Sequence, residues 1–186
     1  RTASPSCGRR PAIHPEEVLL GLGEVAAAFA GFSGVVAALG SRSVYDLPEA
    51  TRFRFANLLI ASVAAALFAF IPIVIGQFPF SSSIVWATSS SLLGIFCLVF
   101  LVVRWRTGGR IPVGQNGALR MWMAMLFGSV LVAVSLLQAA NAAGWPFDRS
   151  GGPYAVGVLG LLALSGFQFI LLALASVPGE PVDPAA

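Results

Sequence analysis

Five apolar runs dominate the chain, and each is long enough to cross a bilayer: Val18 to Gly40, Phe55 to Ile75, Ile84 to Val103, Met121 to Ala140 and Tyr154 to Val177. A hydrocarbon core about 30 Å thick needs ~20 residues of α-helix. Only Glu24 places a formal charge inside any of the runs. Lipid offers no partner to a backbone N–H or C=O, so a spanning segment must be a helix or part of a closed barrel. The runs lack the period-two alternation of barrel strands. They therefore predict an all-α integral membrane bundle of five transmembrane helices, at about 18–40, 55–75, 84–103, 121–140 and 154–177.

Composition points away from water as the main solvent: 57% of the residues are hydrophobic and 10% are charged, where soluble domains carry roughly 25% charge. A chain of 186 residues has room for the spans and little else. The expected organisation is a polar N-terminal tail at 1–15, a five-helix domain at 16–177 and a short Pro-rich tail at 178–186. Residues 1–15 contain no apolar stretch followed by a small-residue cleavage site, so the first span is expected to direct insertion. Cys7 lies in the tail and Cys97 in the middle of the third run, so no disulfide is expected. All 11 basic residues are arginine, a usage that points to a GC-rich bacterial coding sequence.

Arginine placement sets an orientation. Arg42, Arg52, Arg54, Arg104, Arg106, Arg110 and Arg120 fall on one side of the five spans, against Arg149 and the tail residues Arg1, Arg9 and Arg10 on the other. The N-terminus is thus expected outside and the C-terminus in the cytoplasm. Trp86 and Trp145 would mark the outer boundary, Trp105 and Trp122 the inner one. Asp46-Leu47-Pro48-Glu49 has the spacing of a capping box, so the second helix should start there.

Glu24 is the sharpest chemical feature. At 1.5 Å per residue it lies about 10 Å below the outer surface, where a carboxyl must pair, protonate or face water. One reading makes it a proton- or cation-handling group. The other makes it a hydrogen-bonded residue that fixes helix positions. Depth places Gln138, Asn141, Thr88 and Ser90 in the same half of the bilayer, so these residues and Glu24 could line an outward-facing polar pocket. Serine and threonine there could equally bond to their own helices. Small residues recur at helical spacing in Gly23, Ala27, Gly31 and Gly34, and again in Ala124, Gly128, Ser135 and Ala139. Such stripes suit packing within the monomer or a homo-oligomer seam. Their course beside Glu24 favours a carboxyl turned toward protein.

Arg104, Arg106 and Arg110 could meet anionic lipid headgroups, although their simpler role is to set topology. The cluster is short and abuts the bilayer, so nucleic-acid binding is not expected. The chain has no lysine for a Schiff base, one histidine in the tail, two separated cysteines and no Gly-rich phosphate loop. No cofactor or metal centre is expected, and the residues read as those of a non-enzymatic protein.

The run Gly23-Glu24-Val25-Ala26-Ala27-Ala28-Phe29-Ala30-Gly31-Phe32-Ser33-Gly34, followed by Arg52-Phe53-Arg54-Phe55-Ala56-Asn57-Leu58-Leu59, resembles uncharacterised small multi-span bacterial inner-membrane proteins. The resemblance covers about the first two helices. It implies a helical inner-membrane bundle and carries no activity with it. Two functions stay open: a structural or accessory membrane protein, or a small transporter or channel handling a proton, cation or small solute around Glu24.

Overall fold

A computed structural model describes residues 14–39, 49–108 and 117–175. They form five helices: α1 (Pro15–Leu39), α2 (Glu49–Ile75), α3 (Ser82–Gly108), α4 (Gly117–Ala143) and α5 (Gly151–Ala175). All five are long and apolar enough to cross a membrane, and no strand occurs among the described residues. The helices extend beyond the apolar runs at most ends, because the hydrogen-bond ladder continues through interfacial residues such as Arg52 and Arg104. Asp46, the expected cap of α2, and both chain tails lie outside the described residues.

Helices α1, α2, α3 and α4 follow one another in an arc, and α5 runs along its inner side in contact with all four. The α2–α3 and α4–α5 connections share one end of the bundle, here the hairpin end. The start of α1 joins them there: a Cβ built on Gly151 would come within 2.6 Å of Pro15 Cβ and 2.9 Å of the Trp86 ring. Only a glycine permits that approach of three helix ends. The core runs through Leu93, Leu131, Tyr154, Val158 and Leu161, all fully buried. Phe68, Phe96, Phe100 and Phe127 form a chain of ring contacts from α2 across α3 to α4, with centroids 5.3 to 6.0 Å apart.

Close packing against α5 is set by glycines. A Cβ on Gly160 would lie 2.8 Å from Val134, and one on Gly157 would lie 3.0 Å from Leu93 and collide with the Gln138 amide. With lipid as apolar as a protein interior, such close approach is a main source of helix association in membranes. The expected stripes divide between packed and open positions within the monomer. Gly23 packs against Ala69 and Phe70 of α2, but a Cβ added to Gly31 or Gly34 would have nothing within 4 Å. On α4, Ser135 is buried while Ala124 and Ala139 are exposed.

A proline fixes one contact between α2 and α5. Pro72 lies inside α2 and has no N–H, so the α-helical donor to the Phe68 carbonyl is missing. The fully buried Tyr154 hydroxyl donates to that carbonyl at 2.6 Å. One turn of helix thus loses a local bond and gains one from a neighbouring span. Trp86, expected at the interface, packs against Tyr154 with ring centroids 5.9 Å apart and is half-buried. Trp145, Trp105 and Trp122 are strongly exposed at the two ends.

Candidate functional site

Three of the expected pocket residues meet at the hairpin end. Asn141, near the end of α4, donates from Nδ2 to Ser90 Oγ of α3 at 2.8 Å and to the Ser150 carbonyl at 3.0 Å. Its Oδ1 accepts the Ser150 N–H at 3.0 Å. One side chain therefore holds a neighbouring helix and both backbone groups of a loop residue. One turn earlier, Gln138 Nε2 donates to the Pro153 carbonyl at 2.9 Å. Asn141, Gln138 and Ser90 are all fully buried.

The α4–α5 connection is shaped to reach this clasp. Gly144 takes a left-handed φ of 82°, and the N–H groups of Gly144 and Trp145 both bond the Ala140 carbonyl. This closes the C-terminus of α4 in the manner usual for glycine. Asp148 and Arg149 also have positive φ, 48° and 54°, which turns the chain back toward Asn141. Arg149 Nε donates to the Ala142 carbonyl at 3.1 Å, placing a cation on the negative end of α4.

Glu24 and Thr88 do not join this group. Both are exposed on the outer surfaces of their helices, and Glu24 makes no hydrogen bond or ion pair with any described residue. The five residues share a depth but not a direction, so the common pocket expected from depth does not form. Gly23 is turned onto α2, and the ~100° step of an α-helix carries the next residue away from it. The expectation that Glu24 faces protein is corrected by the same step. Moreover, α1 packs against α2 and α5, whereas Asn141 and Ser90 belong to α4 and α3 across the arc.

The arginine expectation also divides. Arg106 is exposed, and Arg110 lies outside the described residues. Arg104 is half-buried, its guanidinium 4.9 Å from the centre of the Phe53 ring and 5.1 Å from that of Phe100. It tethers α3 to α2 by cation–π attraction instead of reaching outward.

A second polar layer lies deeper in the bundle. Ser62 of α2 and Ser165 of α5 hydrogen-bond each other, and both hydroxyls reach the Leu58 carbonyl, at 2.9 and 3.4 Å. Sequence reading missed this pair, because a lone serine on each of two spans has no spacing to betray it. Gln168 is buried, but its Oε1 has no partner. The same holds for Asn57 Oδ1, Gln138 Oε1 and Ser89 Oγ.

The polar side chains that do find partners, Asn141, Gln138, Ser62 and Ser165 among them, hold helices and loops together. Among the described residues no group of three or more His, Cys, Asp or Glu is placed to hold a metal ion. The chain is a multi-pass helical membrane protein, and comparison with protein-family models, curated proteins and solved structures finds no match.

Proposed function

We propose that this chain is a non-enzymatic structural or accessory protein of a bacterial inner membrane. The observation that carries the reading is the Asn141 clasp: the best-placed polar groups of the bundle are spent on Ser90 and Ser150. A binding site would keep such groups available to a ligand. The Glu24 carboxyl lies on the outside of α1, which favours this reading over a pathway through the bundle centred on it. The bacterial setting rests on the arginine usage and on the resemblance of the first two helices. Arg52, Arg54, Arg104 and Arg106 lie at the end opposite the hairpins, which favours that end as cytoplasmic.

Purified protein in liposomes tests the reading. Proton, sodium, potassium and chloride flux should not exceed that of protein-free vesicles. A flux that requires the protein and disappears in Glu24→Gln would overturn it.

A further inference from the structure

Helix α1 is the least enclosed of the five, and it carries Glu24, the one formal charge within the apolar runs, on its open side. Pro15 is level with Gly151 at the hairpin end. Glu24 lies about 13 Å further along α1 at 1.5 Å per residue, well inside a hydrocarbon core about 30 Å thick. Glutamate lacks the long stem by which lysine or arginine reaches the interface. A carboxyl at this depth needs a partner, and the described residues of the monomer supply none.

Among the described residues, nothing covers the surface around it. Gly21, Ala27, Ala28, Gly31 and Gly34 share the Glu24 side of the helix and are exposed. A Cβ built on Gly21, Gly31 or Gly34 would meet nothing within 4 Å, so the described residues make no use of these glycines for close packing. Beside them an open apolar groove of about 380 Å³ runs between α1 and α5, lined by Val25, Ala28, Phe29, Phe32 and Phe169.

We propose that this face seats α1 of a second copy of the chain, about a two-fold axis normal to the membrane, with Glu24 of each copy hydrogen-bonded to Glu24 of the other. All copies insert with one topology, so a two-fold pairing brings equivalent residues together at equal depth. The second copy then provides the polar group that the described residues of one monomer lack. A pair that keeps at least one proton is complementary to itself, because O–H donates to the facing oxygen. The flanking glycines let the backbones approach closely enough for the short side chains to meet. The pairing requires no transport activity, and its failure would leave the structural reading of the bundle standing.

Disulfide trapping in native membranes tests the seam. The background is the full chain with Cys7→Ser and Cys97→Ala, and one cysteine is added at a time. Gly31→Cys and Gly34→Cys should form dimers on oxidation at several times the yield of Val63→Cys and Ile95→Cys on the exposed faces of α2 and α3. Equal yields, or no dimer at the α1 positions, would overturn the seam. Single-molecule photobleaching in liposomes tests the carboxyl. Glu24→Leu should weaken dimerisation roughly three- to tenfold, the scale of a hydrogen bond between spans, while Glu24→Gln, which can still bond across the seam, should stay within about twofold. The thermal midpoint of diluted monomer serves as the folding control and should not fall in either variant. A Glu24→Leu protein that dimerises like the parent would refute the carboxyl pairing.

Discussion

The bond between Tyr154 and the Phe68 carbonyl lends itself to a quantitative test. Tyr154→Phe removes the donor and leaves the ring in place. The bond is 2.6 Å long and the tyrosine is fully buried, so water cannot replace the hydroxyl. A typical intramolecular hydrogen bond contributes about 1 kcal/mol net, and a buried carbonyl left unpaired costs about 1–3 kcal/mol. Measured bonds between membrane spans average ~0.6 kcal/mol, with a maximum near ~1.7. The upper part of that range applies here, because Pro72 denies Phe68 its α-helical donor. Tyr154→Phe should therefore destabilise the bundle by about 1–2 kcal/mol in reversible unfolding by SDS in mixed micelles. The decisive measurement is the cycle with Pro72→Ala. Alanine restores an N–H at position 72, so Phe68 no longer depends on the tyrosine. The cost of Tyr154→Phe should fall by about 1 kcal/mol on that background. An equal cost on both backgrounds would show that the proline and the tyrosine are not linked through this carbonyl.

Two further substitutions probe the α5 seam and the loop clasp. Gly157→Ala should cost about 2 kcal/mol or more, by overpacking against Leu93 and displacing the Gln138 amide from Pro153; Gly31→Ala, in open space, should leave unfolding of the monomer unchanged within about 0.5 kcal/mol. Asn141→Ala removes three hydrogen bonds, and hydrogen exchange of the Ser150 amide should accelerate by about tenfold or more; unaltered exchange would mean that Asn141 does not hold the loop.

The five spans were legible in the sequence because length and apolarity alone satisfy a bilayer. Depth was legible too, since rise per residue is fixed: Gln138, Asn141 and Ser90 do meet near one end. Direction around each helix was not legible. In water, polar residues mark the outside of a helix. In lipid, apolar side chains face both ways, so Leu67 and Ile95 are exposed while Leu93 and Leu161 are buried. Gly23 and Glu24 differ by one position and face opposite environments. Glycine content was equally ambiguous, because the residues that seat α5 are Gly157 and Gly160, outside either expected stripe. The Tyr154 contact had a usable signal in Pro72, which frees a carbonyl four residues earlier for some donor elsewhere in the fold.

The central position of α5 also bears on how the bundle is made. Helices α1 with α2 and α3 with α4 are sequence neighbours that pack closely, whereas α2 and α3 touch only lightly. During synthesis the first four spans emerge as two pairs, and the helix that fastens one pair to the other emerges after both. Until it arrives, Leu93, Val134 and the Phe68 carbonyl lack the α5 groups that pack on them. A chain stalled before Gly151 would present those groups to lipid, to the insertion machinery and to membrane proteases. The fifth span therefore supplies the contacts that join the two pairs into one folded body.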